Sequence, residues 1–583
     1  MIRRCISALL SVVLIGTMAF SGALTVSAAS AAGTYVGTAP GWAGPITVEV
    51  TYADGVIYSV ELIEHVDTFG IVDPAFEIVT RRIIENQSLA VDQVTGATVS
   101  SFGITLAITN ALTEAGADVA ALRRAPERPA IVQGATETVD VVIVGSGVAG
   151  IMAAFELHFY HPHVSFVLLE QLDIMGGQTP STGGLKYSPV FDDITSVTHE
   201  ANDVNFTLDD VFDLFYVATC APLRTELMTS IYRLGPELVD RWYVDWGVPF
   251  DGMTTVAGGP IQAFRPVGSG QGLTVFLNEF VRQNPIDLRL ASRATGLLVS
   301  DDGVVYGVTV ADRYSEYEIH ASAVLLATGG FSSSYDLLVE VAPPFAGGTP
   351  RVMPGTTGDG LTFTRQFNTP IVGYGVFGGA QGPLRPALQI NTIRSNFLIT
   401  PEGARFADDR GSYPAIDEMY ALGLRTVYRV ADSNFTIPAP GLDARLAAGV
   451  LVAHDTLEDL AAFRGFDVEL FLAEVEAYNA AVAAGDSPGF GLPVDLATPM
   501  IDGPFFSERL GTAWIGTIPG ILIDDYMRVL DGDHNPVPGL YAAGEVLHGN
   551  FFTRSYPGSG TAIGLASYGA VFAIRNMLDD FGF

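Results

Sequence analysis

Val139-Asp140-Val141-Val142-Ile143-Val144-Gly145-Ser146-Gly147-Val148-Ala149-Gly150 is the stretch on which the fold turns. Its first six residues are almost continuously apolar, the pattern of a parallel strand buried on both faces. They run into Gly-x-Gly-x-x-Gly and then into IMAAFELHF, which reads as a helix. A second apolar run, Val164 to Leu169, ends in Glu170, about twenty residues past the last glycine. Gly145, Gly147 and Gly150 allow a tight turn that lays a pyrophosphate on the helix N-terminus. Glu170 stands where an acid can accept from ribose hydroxyls. The spacing predicts a dinucleotide-binding βαβ unit, because the glycines sit between a strand and a helix.

Three more glycine-rich stretches lie downstream. Met175-Gly176-Gly177-Gln178-Thr179-Pro180-Ser181-Thr182-Gly183-Gly184 is suited to wrap the flavin end of a long cofactor. VLLATGGF, Val324 to Phe331, is a buried strand ending at Thr328 and Gly329, and Gly539-Leu540-Tyr541-Ala542-Ala543-Gly544-Glu545 repeats that strand-into-turn pattern. Together the four segments resemble the fumarate reductase / succinate dehydrogenase flavoprotein superfamily from about Val139 to the end. The resemblance implies non-covalent FAD, with Gly145, Gly147, Gly150, Glu170, Gly176, Gly177, Gln178, Thr182, Gly183, Gly184, Thr328 and Gly329 on the cofactor and Glu545 at its ribityl side. It also implies a split Rossmann-like α/β domain, 139–360 and 507–583, interrupted by an α+β capping domain at 361–506.

Upstream, Ile46 to Tyr52 and Val56 to Ile63 are β-rich runs broken by Ala53-Asp54-Gly55, a hairpin pattern. Then comes Asp92-Gln93-Val94-Thr95-Gly96-Ala97-Thr98-Val99-Ser100-Ser101, followed by a helical run to Leu112. Asp-x-x-Ser/Thr-Gly-Ala-Thr is similar to the attachment motif of FMN-binding domains. It implies a small α+β domain over 34–118, with FMN joined by a phosphoester to Thr98 and with Ser100 as the fallback. Residues 119–138, with Pro126 and Pro129, read as a linker.

Fumarate reductases hold a dicarboxylate with arginines and histidines, and four stretches that should carry these depart from the pattern. Glu402-Gly403-Ala404-Arg405-Phe406-Ala407-Asp408-Asp409-Arg410-Gly411-Ser412-Tyr413 ends in Tyr413 where the family has its proton-donating arginine. Ile515-Gly516-Thr517-Ile518-Pro519-Gly520 lacks both family histidines, and Val376-Phe377-Gly378-Gly379-Ala380 lacks a third. Ser555-Tyr556-Pro557-Gly558-Ser559-Gly560-Thr561 replaces the arginine-bearing C-terminal stretch, with Arg554 two residues early. An unpaired carboxylate in a dry pocket is costly, so fumarate is a poor fit. Tyr-Pro-Gly-x-Gly with a cap tyrosine is instead similar to 3-ketosteroid dehydrogenases. That resemblance implies a carbonyl oxygen held by the Tyr556 hydroxyl and the Gly560 amide, and α-carbon proton exchange at Tyr413. Arg410 or Asp409 could polarise Tyr413. For a further tyrosine, Tyr187 and Tyr243 are the candidates.

The expected function is an exported ene-reductase of an α,β-unsaturated carbonyl compound, a ketosteroid or other enone, with hydride from FAD N5 to the β carbon. Electrons come from a membrane or extracytoplasmic donor through FMN, as in anaerobic respiration or detoxification. The alternatives are a ketosteroid-type dehydrogenase running in the oxidising direction, a reductase of an aryl acrylate held by Arg554, and a pure electron carrier. Residues 1–31 read as a secretory signal peptide. Arg3 and Arg4 precede an apolar run from Cys5 to Phe20, and Ala29-Ser30-Ala31 offers a cleavage site. A retained membrane anchor is the other reading. Past that segment only Cys220 remains, so neither a four-thiolate cluster nor a c-type haem is expected. A net charge of −34, with Lys186 the single lysine, argues against nucleic acid as a partner.

Overall fold

The computed structural model describes residues 32–216, 219, 222–256, 259–381, 396–407, 418–434, 441–447, 449, 451–490, 492, 494 and 497–583. The leader read at 1–31 and the residues Asp409, Arg410 and Tyr413 lie outside them.

The N-terminal unit is a three-stranded antiparallel sheet, β1 (Gly33–Pro40), β2 (Pro45–Ala53) and β3 (Val56–His65), packed on α1 (Val72–Asn86) and α2 (Thr98–Glu114). Ile46, Val48, Val50 and Tyr52 alternate along β2 and are buried, the period-2 pattern of a sheet with one wet face. Asp54 (φ 50°) and Gly55 (φ 81°) both take positive φ in the β2–β3 turn, as a two-residue hairpin demands. At Gly37 a Cβ would stand 2.1 Å from the Ala107 carbonyl oxygen, so only glycine lets β1 approach α2 this closely.

The quoted stretch forms β4 (Glu137–Val144) and α3 (Val148–Tyr160), and the second apolar run forms β5 (Phe166–Leu169). Val141, Val142 and Ile143 are fully buried, because both faces of the sheet are covered. β4 pairs in parallel with β5 on one side and with a later strand on the other (Val142 with Val167 and with Val324). Among the described residues the sheet has nine strands. It gains β6 (Arg293–Val299), β7 (Val305–Ala311) and β8 (Ser315–Leu326) on one side, and α4 (Ser269–Gln283) lies between β5 and β6 in the chain.

A third layer follows. Its sheet, six-stranded among the described residues, includes β9 (Asn396–Ile399) and β10 (Thr426–Ala431), and its spine is the 13-residue β11 (Phe505–Thr517). Phe397, Val430, Phe471, Tyr478 and Phe505 make a core of their own there, whereas Trp514, further along β11, belongs to the main α/β core. β11 thus passes out of this layer and delivers its last residues to the α/β unit. The chain then returns to the nine-stranded sheet as β12 (Pro536–Ala542), parallel to β8, and closes with the long helix α5 (Thr561–Phe581). Among the described residues no helix is long and apolar enough to cross a membrane.

Candidate active site

The glycines of the first turn divide by what surrounds them. Gly145 takes φ 106°, and a Cβ there would meet the Ala327 carbonyl oxygen at 2.4 Å; one on Gly150 would meet the Gly145 oxygen at 1.8 Å. These two press α3 and its turn onto the sheet. Gly147 is different, since a Cβ would meet nothing within 4 Å, and the same holds at Gly329 (φ 69°). Between the strand ends, the Thr328 hydroxyl is buried with no hydrogen-bond partner among the described residues. Open space, left-handed glycine and an orphaned hydroxyl at the carboxyl ends of β4 and β8 form a cradle that fits a dinucleotide.

Glu170 is buried at the end of β5. Its Oε2 accepts from the Ser146 amide (2.9 Å) and hydroxyl (2.6 Å), and its Oε1 accepts from the Leu172 amide (2.9 Å). Burial raises its pKa, and these donors oppose the rise. Two of these bonds brace the glycine turn through Ser146, and the third is a local bond to Leu172, so three of about four acceptor sites are occupied. Gly176 bridges to Gly147, and Gly177 (φ 49°) packs a would-be Cβ 3.0 Å from the Gly147 Cα, so the two glycine-rich turns touch. Gly184 (φ 66°) abuts Pro266 and the start of α4, while Gly183 has only ordinary contacts, with Leu185. Thr182 donates its hydroxyl hydrogen to the Thr179 carbonyl and accepts from the Gly184 amide. Gln178 joins the cofactor turn to the third layer. Its carbonyl accepts from the Met353 amide (2.7 Å), and its amide group donates to the carbonyls of Arg351 and Ile515. Glu545 is half-buried, accepts from the Thr517 amide and hydroxyl, and is pushed up to about 7 by desolvation.

Tyr556 and Gly560 come together at the start of α5. The Ala562 amide donates to the Tyr556 hydroxyl (3.0 Å), and Gly560 (φ 107°) caps the helix N-terminus. Phe377 stacks on Tyr556 (4.7 Å, 16°), and Phe552 meets it edge-on. The strand carrying Phe377 (Val376–Gln381) pairs with the end of β11, Phe377 opposite Gly516. A Cβ on Gly516 would lie 2.1 Å from the Phe377 ring. The ring therefore fills the space that a side chain at 516 would need, and two of the histidine-lacking stretches lock together as an apolar wall. His548 lies against Phe377 and Phe552, fully buried and pushed down to about 3 by burial, hence neutral. Arg554 is exposed.

Of the two further tyrosines, Tyr187 belongs to this place. Its hydroxyl bonds the Thr561 hydroxyl (2.9 Å) and accepts from Tyr232 (3.3 Å), and its ring blocks any Cβ on Gly560. Burial pushes it up to about 12. Tyr243 packs instead among Phe250, Phe264 and Lys186, with its hydroxyl buried. Phe377, Phe552, His548 and Tyr232 were not singled out by the sequence, because no local spacing links them to Tyr556.

On the N-terminal unit, Thr98 is exposed and is the first residue of the 17-residue α2. Ser100 is buried and donates to Asp67, whose carboxylate also accepts the amides of Trp42, Ala43 and Thr68. An exposed hydroxyl at a helix N-terminus suits a phosphoester, since the terminal amides favour the added negative charge. The buried Ser100 offers no such access.

The fold, the dinucleotide cradle and this second unit define a class. The FAD binding domain family matches residues 140–563 and the FMN-binding domain family matches residues 41–113. The chain belongs to the FAD binding domain family and carries an FMN-binding domain ahead of it. It is 26 % identical to an NADH:fumarate oxidoreductase of Klebsiella pneumoniae, covering 89 % of this chain and 55 % of that one. It is 27 % identical to an NADH:acrylate oxidoreductase of Vibrio harveyi (92 % and 60 %), so it spans little more than half the length of either. A urocanate reductase of Eggerthella lenta is 26 % identical, with 91 % of each chain covered. In fold it is similar to the open form of a flavocytochrome c3 fumarate reductase (TM-score 0.61, 23 % identity, 76 % and 78 % covered). It is equally similar to a 3-ketosteroid-Δ4-(5α)-dehydrogenase of Rhodococcus jostii (TM-score 0.61, 20 % identity, 77 % and 99 % covered).

Proposed function

We propose that the chain is a flavin-dependent ene-reductase whose substrate is an α,β-unsaturated carbonyl compound, with a cyclic enone as the best fit. The observation that carries this reading is the Tyr556 hydroxyl, set at the N-terminus of α5 beside Gly560 and walled by Phe377. Bound FAD supplies a hydride to the β carbon. Accepting from the Ala562 amide makes the Tyr556 hydroxyl a stronger donor toward a carbonyl oxygen, and the Gly560 amide is the second donor. The two stabilise negative charge as it develops on that oxygen, in the manner of an oxyanion hole. Tyr413 returns a proton to the α carbon, which balances the addition of hydride and proton across the double bond. Among the described residues the aromatic wall, Phe377, Phe552 and the neutral His548, offers no cation to a carboxylate. Thr98 would hold FMN by a phosphoester, and FMN held there would supply the route for electrons from a donor outside the cytoplasm.

A second reading, reduction of an unsaturated carboxylate, is favoured by the acrylate and urocanate activities for which two relatives are named. Anaerobic turnover driven by dithionite-reduced viologen, run against cyclic enones, aryl acrylates and fumarate, separates the two. Cyclic enones are expected to react best, and Tyr556→Phe should lower kcat about 100-fold with both flavins retained. Turnover of carboxylates alone, indifferent to Tyr556→Phe, would sink the carbonyl reading. Reaction only of saturated ketones with an added acceptor would reverse the direction. Mass spectrometry of the Thr98 peptide tests the attachment, which adds the mass of FMN less one water.

A further inference from the structure

The N-terminal unit meets the α/β unit at a carboxylate that the active site does not use. Asp173 is buried, three residues before Gly176 on the turn that touches Gly147. Its Oδ1 takes Arg82 of α1 (2.7 Å) and Arg313 of the β7–β8 turn (2.7 Å), while its Oδ2 takes Arg313 again (2.9 Å) and the Thr95 amide (2.8 Å). Thr95 stands three residues before Thr98. Arg82 also donates to the carbonyls of Asp92 and Gln93, so the segment leading to Thr98 is gripped from both sides. Beside this link Gly96 packs on Leu172 and Ile174, and Ile174 and Met353 are buried in the core of the N-terminal unit rather than in that of the α/β unit. Met353 is itself held by Gln178 of the cofactor turn. A second contact lies on α4, where Gly70 meets Val275 and Glu77 pairs with Arg282 (2.9 Å).

We propose that Asp173 is a positioning residue for electron transfer, fastening the Thr98 segment to the FAD-binding turn so that electrons cross between the two flavin sites at this seam. The inference rests on the reading of Thr98 as the FMN site. A surface ion pair would contribute little, but this carboxylate is buried and fully subscribed. Removing it strips the Thr95 amide of its acceptor and leaves Arg82 only the carbonyls of Asp92 and Gln93 and Arg313 only the Asp92 carboxylate. Burial alone would raise its pKa; the Thr95 amide, Arg313 and Arg82 outweigh that and hold it below the usual carboxylate range. Per turnover two electrons leave the Thr98 side, cross to the FAD side and end, with two protons from solvent, in the two new C–H bonds of the reduced alkene. The external reductant restores them.

Stopped-flow reoxidation of the fully reduced holoenzyme by excess enone gives the test. Two two-electron carriers in series should yield a fast phase from the FAD side and a slower one limited by transfer from the Thr98 side. Asp173→Ala is expected to slow the second phase about tenfold or more and leave the first within about twofold. Hydrogen exchange at residues 92–98 and 172–177 should rise about tenfold whether or not flavin is bound. Arg313→Ala, at the half-buried rim of the link, should do the same more weakly while keeping the fold. Second-phase rates unchanged in both variants, both phases slowed together, or unchanged exchange would each overturn the proposal. A single two-electron phase in the unaltered protein, with no flavin on the Thr98 peptide, overturns the FMN reading itself and is told apart by the exchange data.

Discussion

Gly147 and Gly150 stand in one motif, yet the structure gives them opposite tasks. At Gly147, φ is −63° and ψ is 176°, a conformation open to any residue, and a Cβ would point into empty space. At Gly150 a Cβ would stand 1.8 Å from the Gly145 oxygen, where no side chain can move aside. Gly150→Ala should therefore cost about 1–3 kcal/mol of stability or more, read as a lowered thermal unfolding midpoint. Gly147→Ala should lose its FAD absorbance and unfold as the unaltered protein does once stripped of FAD. Retention of FAD by Gly147→Ala would show that the open space beside that residue is not the cofactor's. The motif itself was legible because all its members lie within twelve residues that follow strand and helix patterns. The setting of Tyr556 was not. Its ring is defined by Phe377, Phe552 and Ala562, and the room for Phe377 exists only because residue 516, on a strand far away in sequence, is glycine. A sequence shows that the histidine is missing, but only a register of paired strands shows what occupies its place.

At the level of elements, α3 starts at the cofactor turn and α5 starts at Gly560, so the distance between cofactor and carbonyl depends on how these helices are joined. Glu156 of α3 joins them. It is buried, with Arg575 of α5 on Oε1 (2.8 Å) and Arg241 on Oε2 (2.6 Å), and Glu237 takes Arg575 as well (2.8 Å). Glu156→Ala leaves Arg241 and Arg575 with Glu237 as their remaining partner and should cost about 1.5–3 kcal/mol, the loss of a charged hydrogen bond. The expected sign is a lower unfolding midpoint, with FAD released at a lower temperature than in the unaltered protein. A shift smaller than that of an exposed pair such as Arg365–Glu340 would mean that Glu156 does not fasten the helices. β4, α3, β5 and the β2–β3 hairpin could be read from apolar runs and turn residues. Glu156 could not be recognised, because one acid in an apolar helix looks like an exposed position until α5 is seen to cover it. The same blindness hid Asp173, whose partners come from three separate stretches of chain.

Across the whole molecule the acidity constrains what can reach the site. The chain carries 64 acidic against 30 basic residues, and its single lysine is buried. Many of the arginines are already paired, including Arg82, Arg241, Arg289, Arg313 and Arg575. The long-range field is therefore negative, and salt must act on charged and neutral substrates differently. At 0.01 M ionic strength charges are felt over roughly 30 Å, and at 0.15 M over about 8 Å. For a dicarboxylate, raising the salt weakens repulsion, and kcat/KM should climb severalfold over that range. For a neutral enone it should change by less than about twofold, since no net charge couples to the field. Pre-reduced enzyme mixed with each substrate in turn keeps the donor's own charge out of the measurement. A dicarboxylate rate that falls as salt is added would reveal a cationic funnel at the mouth of the site, and the substrate would then have to be sought among carboxylates after all.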